Sequence, residues 1–316
     1  MEAVLARPRG FCAGVIRAID IVELALKVYG APVYVLHEIV HNQKVLKDLE
    51  GRGAVFVGTL DAVPAGALTI FSAHGVGADV VTDARHRGLR VVDATCPLVS
   101  KVHLEVAGHA RAGRDVILVG HAGHPEVEGT MGRYDSPVGA IHLVGSVEEV
   151  AALEIDEARG VAVVTQTTLS IDDTRRILSA LRQRFPSIIE PRRDDICYAT
   201  QNRQNAVREL AGRIDILLVV GARNSSNSNR LREVGEQLGV QSYLIQDAAE
   251  LDAAWFREGM RVGVTAGAST PEELVRGLLS RLYSLGVSHV TELEGVAENV
   301  SFALPSALIR AARACA

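Results

Sequence analysis

The sequence predicts an α/β fold of three pseudo-repeated units with parallel-type sheets, and three observations predict it. Continuous apolar runs alternate with amphipathic helical stretches, each run ends in a cluster of polar residues, and Cys12, Cys96 and Cys197 recur at nearly even intervals in polar or glycine-rich surroundings. Short uninterrupted apolar runs are the pattern of parallel strands covered by helices on both faces.

After Cys12 an amphipathic helix spans residues 15–28 and leads to a strand at 33–36, which ends in a polar loop holding His41 and Asn42. A later strand at 68–71 ends at Ser72, Ala73, His74 and Gly75. After Cys96 the order recurs: a strand at 116–119 runs into Gly120, His121, Gly123, His124 and Glu126, and one at 161–164 runs into Thr165, Gln166, Thr167 and Thr168. After Cys197 a strand at 216–220 meets Asn224 to Asn229, and one at 262–264 meets Thr265 to Pro271. Helices are expected over 174–183 and 230–238. The chain divides accordingly into a first α/β unit, 1–96, a second, 97–195, a third, 196–282, and a C-terminal tail, 283–316. Ligands of open α/β sheets bind beyond the carboxyl ends of the strands, so the six polar strand ends are expected to serve one site.

Composition bounds the function. With 316 residues, 48% hydrophobic and 22% charged, the chain is long enough for two domains or three small ones, and it is neither disordered nor collagen-like. A formal net charge of −5 disfavours a polycationic nucleic-acid binder. No run of about 18 apolar residues occurs, and the first ten residues lack the long apolar stretch of a signal peptide. A cytoplasmic protein with no nucleic-acid or membrane partner is expected.

Four cysteines so far apart form no disulfide framework, and no C-x-x-C announces a zinc ribbon or ferredoxin loop. Cys315, next to last, is a bystander. The stretch from Ser269 to Leu274 reads as a helix start with Ser269 or Thr270 as the cap, a geometry that also presents backbone N–H groups to an anion. Ser170 reads as a second cap. Asn224 to Asn229 is too dense in Asn and Ser for a turn, and suits a phosphate or diphosphate cradle of neutral donors; no nucleotide-binding glycine motif accompanies it. His41, His74, His121 and His124 fall at strand ends, whereas His86, His103 and His109 fall on helices as surface or packing residues. In His124-Pro125-Glu126 a carboxylate lies two residues from an imidazole, a pair able to relay a proton if burial raises the Glu126 pKa, or to bind zinc. Glu128 is read as solvated.

Three thiolates, one at the head of each repeat, are one short of the usual four for a 4Fe-4S cluster and would leave one iron open, which suggests reductive removal of a hydroxyl from a phosphorylated substrate. Three thiolates on zinc would instead suggest deamination or hydrolysis.

The segments 8–15 (PRGFCAGV), 37–42 (HEIVHN), 71–76 (FSAHGV), 93–99 (DATCPLV), 123–127 (GHPEV), 196–204 (ICYATQNRQ), 224–228 (NSSNS), 265–271 (TAGASTP) and 298–305 (ENVSFALP) together closely resemble the 4-hydroxy-3-methylbut-2-enyl diphosphate reductases over nearly the whole chain. Arg7, Gly77 and Arg133 depart from the family's more usual residues. The resemblance implies a trefoil of three α/β units around a central iron-sulfur cluster. It also implies the terminal step of the methylerythritol phosphate route, loss of an allylic hydroxyl with two electrons and protons to give isopentenyl and dimethylallyl diphosphates. Carried over, Cys12, Cys96 and Cys197 bind one 4Fe-4S cluster per chain with one open iron. Glu126 is the proton donor, working with Thr167 and His124 near the hydroxyl. His41, His74, His124, Ser225, Ser226, Asn227 and Ser269 hold the diphosphate, and ferredoxin or flavodoxin is the electron donor. Two rival readings are a zinc-dependent hydrolase using His121, His124 and Glu126, and a non-catalytic iron-sulfur sensor or electron-transfer protein.

Overall fold

Strands of four to six residues, most of them valine, isoleucine and leucine, alternate with helices in the computed structural model of the chain, which describes residues 1–315. Ala316, the last residue of the expected tail 283–316, lies outside them. In order, the elements begin with β1 (Glu2–Leu5), α1 (Ala13–Tyr29), β2 (Val33–Leu36), α2 (Gln43–Glu50), β3 (Ala54–Val57), β4 (Leu68–Phe71), α3 (Ala78–His86) and β5 (Arg90–Asp93). They continue with α4 (Pro97–Arg111), β6 (Asp115–Val119), α5 (Pro125–Met131), β7 (Ile141–Val144), α6 (Val147–Ala151), β8 (Val161–Thr165) and α7 (Ile171–Arg184). The last are α8 (Tyr198–Ala211), β9 (Ile216–Val220), α9 (Ser226–Gln237), β10 (Gln241–Ile245), β11 (Arg261–Ala266), α10 (Glu272–Ser284), β12 (His289–Glu292) and α11 (Ser306–Ala314).

The α/β class is as expected: the strands form three sheets, and every strand pairing among the described residues is parallel. The orders are β3-β2-β4-β5, β7-β6-β8 and β10-β9-β11-β1-β12. Parallel neighbours need long crossovers, which the intervening helices supply. β6, β8 and β9 are buried at every position, the reason their sequences run apolar without alternation. Burying each such aliphatic side chain contributes roughly 1.5–3 kcal/mol before chain entropy is subtracted. The covering helices show the matching stripe; α1 buries Val15, Ala18, Val22 and Ala25, spaced at three and four residues.

The repeat is clearer in the sheets than in the sequence. Each sheet places the first strand of its segment second, with the third strand beside it. A fourth place follows: β5 fills it beside β4, and β1, from the start of the chain, fills it beside β11. Beside β8 the same place holds a single parallel bridge, Ala162 to Ile189. One compact unit comprises Met1–Ala13, His41–Val45 and Tyr198–Val300, and contains the five-stranded sheet. The other comprises Gly14–Val40, Leu46–Cys197 and the chain from Ser301, and contains the two smaller sheets.

Two local expectations are corrected. Pro271, not Ser269 or Thr270, occupies the cap position of α10 and makes no side-chain capping bond. The Ser269 and Thr270 hydroxyls donate instead to the carbonyls of His41 (2.9 Å) and Val220 (2.9 Å). The helix expected from residue 230 begins at Ser226, so four of the six residues of the polar run from Asn224 to Asn229 are its first turn. Ser170 caps α7 as expected, accepting from the Asp173 N–H at 3.2 Å.

Candidate functional site

Each of the three cysteines stands at the start of a helix. Cys96 is the cap residue of α4, while Cys12 and Cys197 immediately precede α1 and α8. All three are half-buried thiols outside any disulfide, and Cys315 is exposed. Their backbone bonds repeat: the N–H of Cys96 donates to Ala73 O at 3.0 Å, that of Cys197 to Thr167 O at 3.1 Å, and that of Cys12 to Ala268 O at 3.1 Å. Each acceptor lies two residues past the third strand of its sheet, β4, β8 or β11. Half-burial leaves each sulfur reachable by a soft metal. This donor chemistry fits an iron-sulfur cluster, in which each thiolate takes its own iron.

In the unit with the smaller sheets, the loop after β6 and the loop after β8 bring His124, Glu126 and Thr167 together. His124 caps α5, its Nδ1 accepting the Glu126 N–H at 3.1 Å. Pro125 at the first helical position has no N–H to satisfy and its fixed φ suits the helix start. Glu126 is 3% exposed. Its Oε1 accepts the Thr167 N–H at 2.6 Å and its Oε2 accepts the Thr167 hydroxyl at 3.0 Å. Burial pushes the Glu126 carboxyl up to about 7, against the two Thr167 hydrogen bonds that favour its charged form, and the Asp195 carboxylate adds to the rise. The His74 ring meets the His124 ring edge to face, with centroids 5.8 Å apart.

In the other unit the set centres on the N-terminus of α9. Ser225 caps it, accepting the Ser228 N–H at 3.3 Å and the Ser228 hydroxyl at 3.1 Å. Ser226 opens the helix, and Asn227 is buried, with Oδ1 accepting the Ala268 N–H at 2.9 Å. Asn224 Nδ2 lies 3.2 Å from His41 Nδ1, and Ser269 donates to the His41 carbonyl. His41, Ser225, Asn227 and Ser269 are thus gathered by structure, as are His74, His124, Glu126 and Thr167.

The two sets match position by position. Asn227 and Glu126 each stand two residues beyond the cap of the helix that follows a first strand, and each accepts the N–H two residues beyond a third strand, Ala268 or Thr167. An amide oxygen and a carboxylate oxygen do the same structural work there, but only Glu126 carries a transferable proton.

The ligand set of the zinc hydrolase does not form. Among the described residues no three His, Cys, Asp or Glu are grouped for one metal ion, and in the expected set His124 Nδ1 and both Glu126 oxygens are engaged as above. Of the helical histidines, His103 is a packing residue as expected: it is buried, and burial, with Arg133 nearby, lowers it to about 4. Glu128 is exposed as expected.

Sequence reasoning missed Gln166. It is 1% exposed, accepts the His121 N–H at 3.1 Å and donates to the Thr168 hydroxyl at 2.9 Å, latching two strand-end loops. Its only sequence signal is a long polar side chain directly after an apolar strand.

Residues 3–283 match the family described as LytB protein. The chain is 59% identical over 310 residues to 4-hydroxy-3-methylbut-2-enyl diphosphate reductase of Xylella fastidiosa, covering 98% of each chain. It is 58% identical over 309 residues to the reductase of the same name from Pseudomonas putida, again covering 98% of each. Among solved structures, the E-1-hydroxy-2-methyl-but-2-enyl-4-diphosphate reductase from Plasmodium falciparum is similar with a TM-score of 0.95 and 37% identity, covering 99% of this chain and 98% of that one. A second solved reductase, described as the terminal enzyme of the non-mevalonate pathway, is similar with a TM-score of 0.64 and 33% identity, covering 90% of this chain and all of its own.

Proposed function

The chain belongs to the LytB protein family, and from that membership we propose that it does what its named relatives do. It is a 4-hydroxy-3-methylbut-2-enyl diphosphate reductase, an oxidoreductase of the non-mevalonate route to isoprenoids. It removes the allylic hydroxyl of its diphosphate substrate with two electrons and two protons, giving water and either isopentenyl or dimethylallyl diphosphate. Among the described residues no helix is long and apolar enough to cross a membrane, and we place the reaction in the cytoplasm with ferredoxin or flavodoxin as electron donor.

Cys12, Cys96 and Cys197 would hold one 4Fe-4S cluster per chain. When bound, this group supplies the electrons and, at the iron without a cysteine, a Lewis-acid site for the substrate hydroxyl. The protein's own residues do the rest. His41, His74, His124, Ser225, Ser226, Asn227 and Ser269 supply donors for the diphosphate, and the N-terminus of α9 adds its oriented N–H groups. Positioning by mostly neutral donors fixes the allylic end without burying many cations.

Glu126 carries the argument. A carboxyl that titrates near neutrality holds a proton at working pH and still gives it up readily. Once protonated at Oε2, Glu126 donates to the Thr167 oxygen, whose own hydrogen is then free to turn toward the departing hydroxyl. His124 orients the helix that carries Glu126. The test is Glu126→Gln in protein purified without air. Iron and sulfide per chain should match wild type while turnover falls by about 10²–10⁴-fold, the usual worth of a general acid. Turnover at the wild-type rate would remove Glu126 from the proton-donor role.

A further inference from the structure

Three cations outside the catalytic set touch the backbone leading into the three cysteines. Arg17, in α1 after Cys12, donates from Nη1 to the carbonyls of Ala94 (3.2 Å) and Thr95 (3.1 Å), the two residues before Cys96. Lys101, in α4 after Cys96, donates from Nζ to the carbonyls of Arg193 (2.6 Å) and Asp194 (3.5 Å) and pairs with the buried Asp195 carboxylate at 2.8 Å, all in the run into Cys197. Lys101 also lies 3.6 Å from Glu105. Arg203, in α8 after Cys197, donates from Nε and Nη2 to the Gly10 carbonyl (3.1 and 2.7 Å) and from Nη2 to that of Phe11 (3.4 Å), the two residues before Cys12.

The pattern is cyclic in sequence. The helix after the first cysteine serves the loop of the second, that after the second serves the third, and that after the third serves the first. The residue type and its offset vary. The acceptors of Arg17 and Arg203 are the carbonyls of the two residues just ahead of a cysteine, whereas those of Lys101 lie three and four residues ahead of Cys197, next to the Asp195 carboxylate that it also binds. Arg203 shows how strongly the arrangement is built. Its side chain is 0% exposed, and its charge is met by Glu298 at 3.0 Å. A buried guanidinium is tolerated only when its donors are satisfied, and here much of that satisfaction comes from the Cys12 loop.

We propose that Arg17, Lys101 and Arg203 are positioning residues, each fixing the peptides that aim one cysteine, respectively Cys96, Cys197 and Cys12. The proposal rests on the reading of these cysteines as cluster ligands. A carbonyl held by a cation sets the direction of the peptide that follows. Outer-shell partners of this kind commonly change metal affinity by about 10–100-fold when lost.

Full-length protein purified without air is treated with an iron chelator and iodoacetamide, and peptide mass spectrometry records which cysteine is alkylated first. Arg17→Met should expose Cys96 first, Lys101→Met Cys197, and Arg203→Met Cys12, each losing iron about tenfold faster than wild type. Arg203→Lys keeps the charge without the fork and should favour Cys12 to a smaller degree, which covers a failure of Arg203→Met to fold; Lys101→Arg should restore wild-type order. The same order of alkylation in all variants as in wild type, or equal acceleration at all three cysteines, would overturn the assignment. A wild-type chain lacking iron and sulfide would sink the ligand reading alone, because the order of alkylation on the bare thiols still decides the positioning role.

Discussion

Glu126 and Asn227 occupy matching places, and the difference of one carboxylate for one amide separates a group that can carry a transferable proton from one that cannot. The pairing of His124 with Glu126 was legible in the sequence because proline between them marks a helix start. The raised pKa was legible only as a condition, since it depends on burial under the loop after β8. Its sign gives a stability test. The folded chain keeps a proton on Glu126 up to about pH 7, whereas the unfolded chain releases it near the ordinary value of 4.5. Folding therefore weakens as pH rises through that window, by up to on the order of 3 kcal/mol above it. Glu126→Gln is free of this cost. In urea denaturation its stability relative to wild type should improve by that order between pH 4.5 and pH 8, and a difference that stays constant with pH would show that burial does not set the carboxyl's pKa.

At the scale of elements, β1 is one of six strands that sequence reasoning passed over, with β3, β5, β7, β10 and β12. Four residues with no helical partner ahead of them give no periodic signal, yet β1 pairs with β11 on one side and β12 on the other. Deleting residues 1–5 should leave both neighbours without a ladder and remove hydrogen-exchange protection from Arg261–Ala266 and His289–Glu292, together with much of the far-UV helical signal of α10. Retained protection there would show that the sheet closes without its fourth place. The start of α9 was hidden for the opposite reason. Ser and Asn have low helix propensity, and only burial of Asn227 and Ser228 beneath the loop after β11 overrides it. Ser225→Ala removes the cap of that helix and should cost about 1 kcal/mol in thermal unfolding.

At the scale of the whole molecule, the proposed ligation of a cluster by Cys12, Cys96 and Cys197 makes a prediction about composition. Anaerobically purified protein should carry iron and acid-labile sulfide in matching amounts. Both should disappear on changing Cys12, Cys96 or Cys197 to Ser and persist on changing the exposed Cys315. Zinc without sulfide would contradict the cluster reading.

The sequence by itself determined the α/β class, the polar strand ends, and the family, because apolar runs and polar termini are written locally and the motifs are long. Tertiary structure decided the rest. It placed β1 in the last sheet, set Asn227 opposite Ala268 as Glu126 is set opposite Thr167, and brought Arg17, Lys101 and Arg203 onto the cysteine loops. Each of these is a contact between residues far apart in the chain, where the free energy comes from burial and satisfied hydrogen bonds that no local pattern records.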